Sequence, residues 1–191
     1  MGRTATFDRA DVIESARDLF WSHGYEATAI PDLERATGLK RSSLYHAFGS
    51  KKGLFDEAVE NYLTEKVRPL LARITDESST PNALATYFET LAKSVSTADS
   101  HPGCLLIAAA NSPVGADPTV SAAISGYYDE LFVAFRTGVG RLRPHLTASE
   151  ADGRTRALVA LTISALALAR TNKTLALANL HAAQELLDAK G

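Results

Sequence analysis

Cysteine is nearly absent: Cys104 stands alone in 191 residues. One thiol cannot close an internal disulfide, which excludes a small secreted domain stapled by disulfides. Long apolar runs are missing too. The most apolar stretches are broken by Arg, Asn or Thr and are too short to cross a bilayer. The opening residues, Met1 to Asp8, lack the apolar core of a signal peptide. A cytoplasmic protein with no membrane partner is expected. There is no strand-type alternation, internal repeat or low-complexity tract. The five histidines (His23, His46, His101, His145 and His181) never fall into H-x-x-x-H or H-E-x-x-H spacing. A glycine-rich phosphate loop and a G-x-S-x-G elbow are also lacking. No catalytic residue, metal or cofactor is expected, and Asp and Glu read as scattered surface charge.

What remains is an ordinary folded composition. Hydrophobic residues make up 46% and charged residues 22% of the chain, enough to bury a core at this length without staples. The net charge of −2 argues, on its face, against a polyanionic partner. That average hides a segregation. Arg35, Lys40, Arg41, Lys51 and Lys52 lie in a stretch, Arg35 to Leu54, that holds no Asp or Glu; it carries +5, which leaves −7 for the rest. A basic island of this kind raises the local potential for polyanions even in an acidic chain.

Apolar residues recur at helical spacing throughout, so an all-α fold is expected. Asp8 suits an N-cap and Gly24 a C-terminal stop, with Val12, Ala16, Leu19 and Phe20 between them. Ile30, Leu33 and Ala36 share a face of a second helix, with Pro31 in its first turn and Gly38 past its end. A third helix starts near Lys40 and turns Leu44 and Phe48 inward. Ser50 caps a fourth, whose stripe runs from Leu54 to Val67 until Pro69 ends or bends it. Loops are expected over 76–81 and 111–118, with helical patterns between and after them. The last two helices, about 154–170 and 175–188, are apolar nearly all round. They need cover on a second side. Small residues such as Ala160, Ser164, Ala167, Ala178 and Ala183 permit close helix approach. A subunit interface explains this; central burial in a monomer is the alternative.

The stretch Ile30 to Phe48 carries the functional signal. Two short helices joined by a tight turn at Gly38-Leu39 form a helix-turn-helix pattern. Leu33, Leu39, Leu44 and Phe48 set the interhelical angle, which leaves Lys40, Arg41, Ser42, Ser43, Tyr45 and His46 outward. Those side chains suit phosphate and base-edge contacts, and the helix fits a major groove. The run from Gly24 to Phe55, with Gly24-Tyr25, Ala36-Thr37-Gly38-Leu39, Leu44-Tyr45-His46-Ala47-Phe48 and Ser50-Lys51, resembles the DNA-binding domain of TetR/AcrR-family transcriptional regulators. The likeness spans about Asp8 to Tyr62, a third of the chain.

The resemblance implies an N-terminal three-helix helix-turn-helix DNA-binding domain, placed at 1–54, and a C-terminal helical ligand-sensing and dimerisation domain, placed at 55–191. It implies a homodimer through the last two helices, a double-stranded palindromic DNA operator and release by a small-molecule effector. The recognition-helix positions fall on Lys40 to His46, with Tyr45 and Lys51 as phosphate contacts and Thr28 as a further backbone contact. Two positions depart from the family pattern. Ala29 stands where Ser or Thr often caps the second helix, so either Thr28 substitutes or that cap is weak. Lys40 places a cation at a helix N-terminus, opposing the dipole by about 0.3–1 kcal/mol; it is favourable beside phosphate or guanine, so Lys40 is expected to contact DNA. Candidate effector contacts are Tyr87, Phe88, Leu91, Cys104, Tyr127, Tyr128, Leu131, Phe132, Phe135 and Arg170, with core packing the alternative for each. Cys104 is read as a buried structural thiol, with a redox sensor as the alternative. Two other readings stay open: a helix-turn-helix protein without an effector, and a small helical enzyme.

Overall fold

The computed structural model describes residues 7–98 and 101–189. Among these residues it is all α, with helices α1 (Arg9–His23), α2 (Ile30–Thr37), α3 (Arg41–Phe48), α4 (Lys51–Tyr62), α5 (Arg68–Thr75), α6 (Ala83–Thr97), α7 (Leu105–Ala110), α8 (Pro118–Leu142), α9 (Ala148–Leu168) and α10 (Lys173–Asp188). A π-helical turn, Leu63–Val67, joins α4 to α5, and a 3₁₀ turn, Pro113–Ala116, precedes α8.

Local chemistry sets the head, α1 to α4. The Asp8 carboxylate accepts the Ala10 N–H at 2.8 Å and starts α1. Ala29 has no capping oxygen, but the Asp32 carboxylate reaches back to the Ala29 N–H at 2.9 Å, the second half of a capping box. Gly38 lies at φ 70°, a left-handed conformation that closes α2 and turns the chain into α3. Lys40 offers no cap to α3. Glu34 of α2 does: its carboxylate accepts the Arg41 N–H at 2.9 Å, placing a negative charge at the helix start that offsets the adjacent cation. The α1–α4 contact is the base of the head. Phe20 meets the edge of Phe55 with ring centroids 5.1 Å apart. Arg17, only 1% exposed, donates to Asn61 of α4 at 2.7 Å and pairs with Glu14 and Asp18.

Pro69 does not end the fourth helix. It sits in the first turn of α5, and the chain before it widens into the π turn, where the Arg68 N–H donates to the Leu63 carbonyl. A proline ring crowds the carbonyl four residues earlier and brings no N–H, and a one-turn π bulge relieves both. The boundary expected at residue 54 falls inside α4, which is one continuous helix. The buried apolar cluster likewise runs unbroken from Val12 to Leu187. The ninth helix begins at Ala148, six residues before the apolar spacing begins. Thr147 and Glu150 form a full capping box there, with Thr147 N–H to Glu150 Oε2 at 2.8 Å. The α9–α10 pair packs antiparallel along the body, with Leu158, Thr162, Ala165, Ala176, Leu180 and Ala183 buried.

In α8, Gly138 crosses closely over α5 and α6. A Cβ there would lie 2.7 Å from Leu84 Cβ and 3.0 Å from Ile74 Cγ2, whereas Gly126 on the same helix has open space. Gly138→Ala is expected to destabilise by about 1–3 kcal/mol through overpacking, and Tm falls by roughly 2–4 °C for each kcal/mol. Gly126→Ala is expected to raise stability by about 0.5–1 kcal/mol. Thermal melts followed by circular dichroism at one fixed protein concentration check both, and equal effects of the two changes would contradict the close crossing.

Candidate nucleic-acid interface and adjoining cavity

The outward face of α3 is a compact polar surface. Lys40, Arg41, Ser42, Tyr45 and His46 are exposed, Ser43 is half-buried, and Leu44 and Phe48 are buried beneath them. The Arg41 guanidinium lies over the Tyr45 ring, 5.3 Å from its centroid. That stacking holds both side chains along the helix and leaves the phenol and guanidinium donors free to point away from the head. Arg9 braces the helix from behind. It lies 4.3 Å from the Phe48 ring centroid, donates to the Ala47 carbonyl at 3.0 Å and pairs with Glu57.

The five basic residues of the island do different things. Arg35 pairs with Asp32 on its own helix. Lys52 pairs with Asp56 at 2.6 Å and with Asp117 of the body at 2.8 Å. Lys51 sits 4.2 Å over the Tyr25 ring, and its partial burial pushes the ammonium below its ordinary pKa. Lys40 and Arg41 remain on the exposed face. Thr28 is not on it. Its side chain is 1% exposed and the hydroxyl donates to the Gly24 carbonyl at 2.7 Å, closing the turn between α1 and α2. The structure places Thr28 in this turn and does not bring it onto the α3 face.

Behind the head, α4 to α6 and α8 enclose a cavity of about 480 Å³. Tyr62, Tyr127 and Leu131 form part of its buried floor, and Tyr87 and Leu91 of α6 face it from one side. Trp21 of α1 completes the wall, so a head residue borders the space directly. The phenols of Tyr62, Tyr87 and Tyr127 gather around the buried Cys104 thiol, and burial first, then the nearby sulfur, raises all three above the ordinary tyrosine range. The floor therefore stays neutral across the physiological range. His101 also lines the cavity. Its Nδ1 accepts the Gly103 N–H at 3.0 Å, and burial lowers its pKa.

Of the effector contacts expected from sequence, Tyr87, Leu91, Tyr127 and Leu131 line this space. Phe88 and Phe135 do not: both are fully buried and pack on each other, ring centroids 5.5 Å apart, behind Tyr87. Cys104 lies behind the tyrosines. Tyr128 and Phe132 point away from the floor, as their helical offset from Tyr127 and Leu131 requires; Tyr128 is 37% exposed and Phe132 lies under Arg156 of α9. Arg170 is also elsewhere, donating to the carbonyls of Trp21 and Ser22 at 2.9 and 2.7 Å, a cation on the C-terminal end of α1. Trp21, Tyr62 and Lys66 were missed because a wall made of α1 and the α4–α5 joint is a tertiary arrangement. The available signal was Trp21 itself, an aromatic beside Phe20 and off the Val12–Ala16–Phe20 stripe.

Several bonds tie the head to the body near the cavity. The Trp21 indole N–H donates to the Gly103 carbonyl at 3.0 Å, and the Glu26 carboxylate accepts the Val114 N–H at 2.9 Å. With the Lys52–Asp117 pair and the Arg170 clamp, they fasten the head to the body around the C-terminal end of α1. Among the described residues no helix is long and apolar enough to cross a membrane.

Comparison with known proteins agrees with this geometry. The family model for bacterial regulatory proteins of the tetR family matches residues 12–58, which cover α2, α3 and most of α1 and α4. The HTH-type transcriptional repressor ComR of Escherichia coli (strain K12) is 39% identical over 107 residues, 56% of this chain and 51% of ComR, so the match spans about half of that relative. The HTH-type transcriptional regulator YezE of Bacillus subtilis (strain 168) is 30% identical over 143 residues, 75% of this chain and 74% of YezE. A cysteine mutant of the TetR family transcriptional regulator CifR, solved in complex with a 26 bp double-strand operator DNA, is similar over 100% of both chains at 27% identity, with a TM-score of 0.78. Reduced E. coli NemR shares the fold, with a TM-score of 0.78 at 16% identity over 94% of each chain. The chain belongs to the TetR family of bacterial transcriptional regulators.

Proposed function

We propose that the chain is a repressor that binds a palindromic operator as a homodimer and leaves it when a small molecule occupies the cavity. The observation that carries the DNA half is the face of α3: contiguous exposed donors, no acidic residue between Arg35 and Leu54, and a buried face that fixes the helix on the head. Lys40, Arg41, Ser42, Ser43 and His46 reach base edges or the groove wall. Tyr45 and Lys51, each steadied by a cation–π contact, meet phosphates. Two subunits would place two such helices in major grooves about 34–36 Å apart or a multiple. ComR and BdcR, both named as repressors, and CifR, solved on its operator, support this reading.

The partner-facing surface we assign to α9 and α10. Ala157, Ala160 and Ala167 are exposed along one side of α9, and on α10 Leu175 is 51% exposed with Ala178 beside it. Small side chains there let two helix pairs approach closely as a four-helix bundle. The cavity supports an effector-controlled regulator over an effector-free DNA binder, because a solid body would have no use for a space of about 480 Å³ bordered by a head residue. An effector acts only through its differential affinity for the DNA-bound and released states. Trp21 makes that difference available, since whatever fills the cavity touches α1.

Two measurements test this. Lys40→Ala is expected to weaken binding to DNA from the chain's own upstream region and to reduce the slope of log affinity against log salt by about 1. Thr28→Val, which loses only the bond to Gly24, should leave that slope unchanged while costing about 1 kcal/mol of stability. Fluorescence anisotropy across a salt series reads the first, a thermal melt the second. For the dimer, Ala160→Glu is expected to shift the protein to monomer in sedimentation velocity with helicity retained. An unchanged dimer would place the interface elsewhere.

A further inference from the structure

The cavity's polarity runs from lip to floor in a way that specifies what it holds. Lys66, Leu70 and Arg73 follow one another at helical spacing of four and three along the π turn and α5, and all three are exposed at the cavity's edge. Val67 and Leu71, one position further round, are buried and face the interior. The opposite lip belongs to α6, where Thr86, Thr90 and Ser94 are exposed at spacings of four. The mouth thus carries two cations and a row of hydroxyls, and the depth carries tyrosines and leucines. Among the described residues the wall contains no Asp or Glu, and neither Lys66 nor Arg73 pairs with a carboxylate.

Resting on the reading of this space as the effector site, we propose that its ligand is an amphipathic organic anion. A carboxylate sits between Lys66 and Arg73 at the mouth, and an apolar, ring-bearing body lies inward against Trp21, Tyr62 and Tyr127. The physical reasons are separate for the two ends. A carboxylate at the lip keeps part of its hydration and gains charge-assisted hydrogen bonds, with Arg73 able to offer a two-pronged fork. The same carboxylate on the floor would lose its water among neutral phenols and leucines, a costly transfer. The body has the reverse preference, since the floor removes apolar surface from water. An organic ammonium could use the aromatic rings through cation–π contact, but it would enter past two like charges with no acid to receive it.

The chain's single tryptophan, Trp21, lines the cavity and so reports occupancy without a label. The probes are 6-phenylhexanoate, 6-phenylhexanamide and 6-phenylhexylamine, matched in body and differing in the polar end. Titrations of full-length protein, followed by Trp21 fluorescence, are expected to show the carboxylate binding at least ten-fold more tightly than the amide and the ammonium. Changing Lys66 and Arg73 together to Met should erase that preference while leaving amide binding within about two-fold, and the Lys66→Arg, Arg73→Lys exchange should keep it. Equal binding of all three, tighter binding of the ammonium, or no binding of the carboxylate overturns the proposal, as does a preference that survives the double Met change. Release of labelled upstream DNA by the carboxylate is measured separately. Failure of release with the preference intact counts against the effector reading alone; loss of the preference counts against the anion.

Discussion

Phe20 and Trp21 are neighbours on α1 and face opposite ways, and the molecule depends on that divergence. Phe20 is fully buried in the head, against Phe55 of α4 and Tyr25. Trp21 turns toward the body, with its ring 5.1 Å from that of Tyr62 and its indole N–H on the Gly103 carbonyl. One turn of helix is therefore both a core element of the helix-turn-helix head and part of the wall of the cavity behind it. A change in the cavity need not travel through a chain of intermediates to reach α1. Arg9 at the other end of α1 holds the Ala47 carbonyl and the Phe48 ring, so α3 is tied to the same helix.

The electrostatics show why net charge misleads for such a molecule. The −2 total is an average over an acid-free segment and an acidic remainder. Even within the segment, formal charge overstates what faces outward. Arg35 and Lys52 are tied to carboxylates, one within α2 and one bridging to the body, and Lys51 is held on an aromatic ring. Such exposed pairs contribute little to stability, about 0–1 kcal/mol each, but they decide which cations remain for another polyanion. The α3 face carries Lys40 and Arg41 at its start, where a helix dipole alone would oppose them. Glu34 makes that arrangement tolerable by bonding the Arg41 N–H, which meets one of the first donors of the helix and sets a negative charge beside the cations.

The head was legible in the sequence because its signals are local. Asp8, Gly24, Gly38 and Ser50 act within a few residues of themselves, and each does in the structure what its chemistry requires. Thr147 and Glu150 are equally local, yet the apolar spacing beginning later in α9 drew the boundary to Arg154. The cavity was legible only in part. Tyr127 and Leu131 share a helix stripe and were found together, but Phe88 and Tyr87 are adjacent, and nothing local tells which of the two faces a space and which supports it. Trp21 and Lys66 belong to the cavity only because α1 and the α4–α5 joint are brought together by packing. Thr28 shows a hydroxyl whose local partner the sequence does not reveal: its Oγ closes a turn four residues back.

The energies of the junction suit the proposed effector-controlled release. Arg170 places two hydrogen bonds on carbonyls at the end of α1, and the Trp21 indole adds a third to Gly103. Each such bond contributes about 0.5–1.5 kcal/mol net, so the fastening near the cavity is of the order of a few kcal/mol. Allosteric coupling between two sites is typically about 1–3 kcal/mol. Under the proposed effector reading, a ligand whose body re-seats Trp21 would act on a term of that same size. A stronger clamp, such as a fully buried ion pair, would hold α1 in one position whatever filled the cavity; a weaker one would let it move without a ligand. The solvent-exposed guanidinium of Arg170 suits this intermediate regime, because water can take over its bonds when α1 shifts.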